Sequence, residues 1–156
     1  SGANLVLALA QKLRDSGRAM PKKLVCFSLW GDMTACGESY ERNCHSDPFY
    51  GIAKKENFKD HEAYFRRRPK YAGEHDLLDP YLSVSFADFS GFPPTAFFCG
   101  TAEVGESDSD TAFANALSAG VDATLYKYDG LFHDFQLLPF LPESRDVFCK
   151  LESILK

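Results

Sequence analysis

The chain has no C-x-x-C pair and no apolar run long enough to cross a bilayer. It also lacks both glycine-rich signatures that cradle phosphate, G-x-G-x-x-G and G-x-x-x-x-G-K-[ST]. No nucleotide cradle is therefore indicated. The apolar stretch over residues 5–10 is too short to span a membrane, and no basic flank with a cleavage site marks it as a signal peptide. Positive charge is in deficit: 17 Lys and Arg against 22 Asp and Glu leave a net charge of -5. Such a balance offers no electrostatic footprint for nucleic acid or anionic lipid. The one basic run, "RRRPK" from Arg66 to Lys70, reads as a solvated helix end. The cysteines Cys26, Cys36, Cys44, Cys99 and Cys149 are odd in number and widely spaced, with Cys26 and Cys99 inside apolar runs. They read as reduced, buried thiols, and with them a cytoplasmic location is expected.

What is present fits one folded domain. A chain of 156 residues, 45% hydrophobic and 25% charged, has the composition of a globular protein. The chain opens on "SGANLVLALA", in which Leu5, Leu9 and Leu13 recur at i, i+4 while Val6, Leu7, Ala8 and Ala10 fill the other faces. It reads as a buried helix. With no strand or turn ahead of it, an N-terminal portion is expected upstream.

Three short apolar runs read as strands: "KLVCF" at Lys23 to Phe27, "TAFFCG" at Thr95 to Gly100, and "ATLYKY" at Ala123 to Tyr128. Between the second and third lies a helix that Ser107 or Asp108 can cap, carrying Phe113 and Leu117, with Gly120 ending it. Pro142 opens a last helix with Val147, Leu151, Ile154 and Leu155 on one stripe. Alternating strands and helices predict an α/β fold with a mostly parallel sheet and ligand sites beyond the carboxyl ends of the strands. Residues 33–92 interrupt the alternation, with a further helix expected near Glu56 to Arg67, and read as a cap or pocket wall.

Two of the strand-end loops carry chemistry. "GTAEVGESDSD" places Glu103 just past the second strand, and "DGLFHDF" places His133 just past the third. A carboxylate and a histidine on neighbouring loops suit a general base and the acid that orients it. Asp108 and Asp110 are the nearby carboxylates that composition alone would confuse with Glu103. His45, His61 and His75 read as structural or surface residues, and "HEAYF" at His61 lacks the second His of H-E-x-x-H. No metal or organic cofactor is expected.

The start "SGANLVLALA", "FSLWGDMT", "DPYLSVSFADFSGFPP", "GTAEVGESDS" and "AGVDATLYKYDGLFHDF" occur in an order that covers nearly the whole chain. They resemble the segments of α/β-hydrolases of the hormone-sensitive-lipase group, the bacterial and fungal carboxylesterases. The resemblance implies the C-terminal part of an α/β-hydrolase, beginning at the nucleophile elbow, and ester hydrolysis through an acyl-enzyme with His133 as base and Glu103 as its orienter. Aligning Gly2, Ala3 and Asn4 with the family's G-A-N puts the nucleophile one residue before Ser1. Ser1 itself is the nucleophile only if the elbow is one residue shorter. The family's H-G-G-G oxyanion loop has no counterpart here, so the chain is expected to be incomplete on its own.

Leu29 and Val84 replace prolines of the family, and Gly105 replaces the Leu after the acid, which is expected to loosen the acid loop. "DPFYGI" at Asp47 to Ile52, with Leu131 and Phe132, serves equally as acyl-pocket wall or core packing. The expected partners are a small ester substrate and either a second copy or a complementary N-terminal fragment, since the strand at Lys23 to Phe27 would otherwise be an open sheet edge. The rival reading is a catalytically inactive hydrolase-derived module for binding or oligomerisation.

Overall fold

The computed structural model describes residues 1–52, 65 and 68–156. At its centre is a three-stranded sheet in the order β1 (Leu24–Phe27), β2 (Thr95–Gly100), β3 (Ala123–Tyr128). Both pairings are parallel, with Leu24 opposite Thr95 and Thr95 opposite Ala123. Every residue of β2 is buried, as expected of a strand covered on both faces and paired along both edges.

Alternation along the strands sorts the core into two layers. Leu24, Cys26 and Phe97 point to one face and pack with Ala3, Leu7 and Ala10 of helix α1 (Gly2–Asp15), and with Ala112 and Ala116 of a later helix. Ala96 and Phe98 point to the other face, against Phe135 and Val147. A four-residue helix, α2 (Ser39–Arg42), follows β1. The later helix is α3 (Glu106–Ser118), and Val147 belongs to α4 (Pro142–Leu155). Short 3-10 turns occupy Lys70–Ala72, Val84–Phe86 and Phe135–Leu137.

Local chemistry sets the helix ends. After α1, Gly17 takes φ +63° and its N–H bonds to Arg14 O while Arg18 N–H reaches Leu13 O. After α3, Gly120 takes φ +78°, with Gly120 N–H on Leu117 O and Val121 N–H on Ala116 O. Both are Schellman closures, in which a left-handed glycine frees the next N–H to satisfy an orphan carbonyl. Pro142 occupies the first turn of α4, where its missing N–H costs nothing.

Several expectations need correction. The buried face of α1 is Ala3, Asn4, Leu7, Ala10 and Gln11, while Leu5 and Leu9 are 69% and 55% exposed. The Asn4 side chain selects this face, donating to Trp30 O at 3.0 Å and Leu82 O at 2.8 Å. Helix α3 starts at Glu106 with Gly105 as its N-cap, because Asp108 is turned inward to other donors. Leu155 lies exposed, off the buried stripe of α4. Cys36 and Cys149 are exposed, whereas Cys26, Cys44 and Cys99 are buried thiols. The helix expected over Glu56 to Arg67 lies outside the described residues, Phe65 apart, as does His61. Of the basic run, Arg68 donates to the His75 carbonyl. Among the described residues no helix is long and apolar enough to cross a membrane.

Asn4 joins α1 to the loop after β1 and to the segment before β2, so its loss leaves two carbonyls without their donor. Asn4→Ala should lower unfolding stability by about 1–3 kcal/mol. Urea denaturation should show this as a lower midpoint at unchanged slope.

Candidate active site

The parallel registers bring the loops after β1, β2 and β3 to one end of the sheet. The loop after β3 lies directly on the end of β2, since Leu131 O accepts from Ala102 N–H at 2.9 Å. Gly100 makes this approach possible: a Cβ there would sit 2.0 Å from the Leu131 carbonyl oxygen.

Glu103 and His133 meet at this end. Glu103 is fully buried and His133 nearly so, with Glu103 Oε2 3.7 Å from His133 Nδ1. That separation is longer than a hydrogen bond, as catalytic pairs often are without substrate. Oε2 accepts no hydrogen bond among the described residues, which leaves its lone pairs available to the imidazole. The other oxygen, Oε1, accepts from Gly100 N–H at 2.6 Å and from the Ser28 hydroxyl at 2.8 Å. Burial pushes the Glu103 carboxyl up to about 8 against the pull of those two donors, with Asp47 and Asp134 adding to the rise. Burial also lowers the His133 pKa, opposed by the negative charges of Asp134 and Asp47. Each group alone is thus driven towards its neutral form.

The backbone around Glu103 is pinned by residues that precede β2. Asn43 donates to Thr101 O at 2.9 Å and to Glu103 O at 2.6 Å, and the Ser39 hydroxyl donates to Val104 O at 2.6 Å. Asp47 accepts from Val104 N–H at 3.2 Å and, through its other oxygen, from Phe49 N–H at 3.0 Å. Gly105 therefore does not leave the acid loop loose. It lies against Leu29 instead, where a Cβ would come within 3.1 Å of the Leu29 carbonyl oxygen.

His133 opens onto a cavity of about 350 Å³, lined also by Ser1, Leu29, Trp30, Tyr40, Tyr50 and Val104. Ser1 is the N-cap of α1, so the helix N-terminus and the imidazole share this space. The ring of Tyr50 stands edge-on to His133 at 4.4 Å. Of the expected aromatic wall, Tyr50 lines the cavity, while Phe49 packs on Phe132 at 5.7 Å and Leu131 and Phe132 join the core layer of Phe98.

The other carboxylates are engaged elsewhere. Asp108 Oδ2 accepts from Gly31 N–H at 2.8 Å, Asp32 N–H at 3.0 Å and Tyr40 O–H at 2.9 Å. Asp110 pairs with Lys127 at 2.8 Å. His45 Nδ1 is 2.8 Å from Ile52 O, and His75 is exposed. The sequence alone gives no role to Ser28 or Asn43, and places Asp47 only at the start of the "DPFYGI" run. Their signal was only that polar residues punctuate loops, which does not distinguish a buried donor from a solvated one.

Comparison with known proteins came out as follows. A family model for the alpha/beta hydrolase fold matches residues 1–137. The chain is 30% identical to an acetyl-hydrolase of Streptomyces hygroscopicus, covering 93% of this chain and 46% of the relative. It is 28% identical to an esterase of Acinetobacter venetianus, covering 96% of this chain and 47% of the relative. The chain thus spans about half the length of the curated relatives it matches. Among solved structures, an esterase from the bacterial hormone-sensitive lipase family superposes with a TM-score of 0.83 at 32% identity, over 99% of this chain and 49% of that one. An esterase/lipase from an uncultured bacterium gives 0.81 at 30% identity, over 98% and 48%.

Asp108 supplies a pH test of this geometry. Burial raises its carboxyl to about 7 despite three donors, so the folded state holds a proton that the unfolded chain releases near its ordinary value. Its contribution to stability is full below about pH 4 and is lost as pH rises towards 7. Equilibrium unfolding across that window should show Asp108→Asn flattening the decline by roughly 1 kcal/mol or more.

Proposed function

Because the chain belongs to the alpha/beta hydrolase fold family, we propose that it is the C-terminal portion of a carboxylic ester hydrolase working through an acyl-enzyme. The observation that carries this reading is the buried Glu103–His133 pair, 3.7 Å apart at neighbouring strand ends and facing a cavity. The esterase and acetyl-hydrolase relatives support the same reaction class.

In this reading a serine attacks the ester carbonyl while His133 Nε2 takes its proton, then returns it to the leaving alcohol. Glu103 faces the other ring nitrogen, holds the imidazole in orientation and stabilises the imidazolium. Burial disfavours the carboxylate, and an imidazolium beside it is the charge that favours it. The pair is therefore strongest once His133 has taken the nucleophile's proton, which is where catalysis gains. The nucleophile is the family's elbow serine, aligned immediately before Ser1. Trp30, Tyr40 and Tyr50 give the acyl group an aromatic setting, suited to a small ester. The proposed partners are a second copy of this chain or a complementary N-terminal portion. In support, β1 pairs only with β2 among the described residues, and Leu5 and Leu9 lie exposed on α1.

A short-chain p-nitrophenyl ester tests the chemistry. Joined to the sequence upstream of it in its reading frame, the chain should turn over, and His133→Ala or Glu103→Gln should each lower kcat by at least about 100-fold with little change in KM. Asp108→Asn should cost far less. Full activity in the Glu103→Gln enzyme would remove Glu103 from the mechanism, and turnover by the 156-residue chain that Ser1→Ala abolishes would move the nucleophile to Ser1.

Sedimentation velocity at micromolar concentration tests the partner. The chain alone should sediment as a dimer or larger, and joined to its upstream portion it should not need that contact. A stable monomer of the chain alone would overturn the proposal.

A further inference from the structure

Ser28 is the first residue after β1 and is almost fully buried. Its N–H continues the sheet ladder to Phe98 O at 2.9 Å, yet its backbone turns to φ +45°. That region is open to glycine and unfavourable for other residues. Asp134, next to His133, is likewise non-glycine and left-handed at φ +56°. These two strained residues are joined by one hydrogen bond, Asp134 N–H to Ser28 Oγ at 3.0 Å. The same hydroxyl donates to Glu103 Oε1 at 2.8 Å.

The backbone at residue 28 calls for glycine, and serine stands there with both hydrogen-bonding capacities of its hydroxyl in use. It accepts from the loop of the imidazole and donates to the carboxylate, so one oxygen spans the two groups that must face each other. Non-glycine residues held in such conformations persist where the surroundings over-determine them, and they concentrate at functional sites. Gly100 N–H holds the same Glu103 oxygen, which leaves Oε2 turned to His133 Nδ1. Replacing the hydroxyl frees the carboxylate to rotate and releases the amide beside the imidazole.

We propose that Ser28 is a positioning residue whose hydroxyl ties the Glu103 carboxylate to the Asp134 amide and so sets the mutual orientation of Glu103 and His133. The tie concerns the geometry of the pair; its catalytic consequence rests on the function proposed above.

Ser28→Gly is the informative variant, because glycine suits the backbone and only the hydroxyl is lost; Ser28→Ala is the companion. In the chain itself, amide hydrogen exchange should show the Asp134 N–H exchanging at least about tenfold faster, with the amides of residues 95–99 in β2 unchanged. Carboxyl-detected NMR should show Glu103 titrating at higher pH in Ser28→Gly, since a donor to its charged form has gone. Asp47, Asp134 and His133 also face that carboxyl; the two aspartates are followed in the same spectra and His133 through its ring resonances.

In the active esterase joined to its upstream portion, kcat should fall at least about tenfold with KM within a few-fold, and the acid limb of the pH–rate profile should move up. Unchanged exchange at Asp134 and unchanged Glu103 titration in both variants would overturn the tie. Altered exchange and titration with unchanged kcat would keep the tie and overturn its positioning role. If Glu103→Gln leaves hydrolysis intact, the proposed function falls, while exchange and titration still decide the tie.

Discussion

Pairing of β2 along both its edges is the constraint on which the rest depends. It is parallel to β1 on one side and β3 on the other, and buried throughout. Parallel registers place successive carboxyl ends together, so the loops bearing Ser28, Glu103 and His133 leave the sheet side by side. The last residue of β2, Gly100, then decides how close those loops come. Without a side chain it lets the Leu131 carbonyl settle on the strand end, and its N–H binds Glu103 Oε1.

Around that end the structure exchanges solvation for buried hydrogen bonds. Asn43, Ser39 and Asp47 tie down the backbone that carries Glu103. Asp108 performs the same service for residues 31 and 32. Desolvation outweighs the donors to the carboxylates themselves, Gly100 N–H and Ser28 O–H at Glu103 and the amides of residues 31 and 32 with Tyr40 O–H at Asp108, raising both carboxyls. The two acids, five residues apart in the chain, nevertheless have different surroundings. Donors converge on a single oxygen in both, Oδ2 of Asp108 and Oε1 of Glu103, but the second oxygen of Glu103 lies beside an imidazole. That imidazole neighbour, not burial or charge, separates a candidate catalytic carboxylate from a structural one.

Much of the fold was legible beforehand because it rests on local rules. Gly120 ends a helix through a left-handed closure, Pro142 opens one, and three runs of β-formers are strands within a residue of their expected bounds. The positions of Glu103 and His133 after strands were equally readable, since a strand end is a local feature. Where reading failed, a distant partner was responsible. Asn4 anchors one face of α1 through the carbonyls of Trp30 and Leu82, contacts that no local repeat announces. Asp108 has the composition of a cap and is drawn instead to the amides of residues 31 and 32.

The sequence by itself determined the strands, the order of the elements, the family resemblance and the two candidate residues, Glu103 and His133, because propensity, turn chemistry and motif spacing act over a few neighbours. The tertiary structure alone decided the distance between Glu103 and His133, which oxygen of Glu103 stays free, and which residues hold them. The hydrogen bonds that fix them join groups 75 or 106 positions apart in the chain, where only the sheet register brings them together. Ser28 shows the division most plainly: in sequence it is one small polar residue after a strand, and its buried, doubly bonded hydroxyl exists only once three loops have been packed at one end of the sheet.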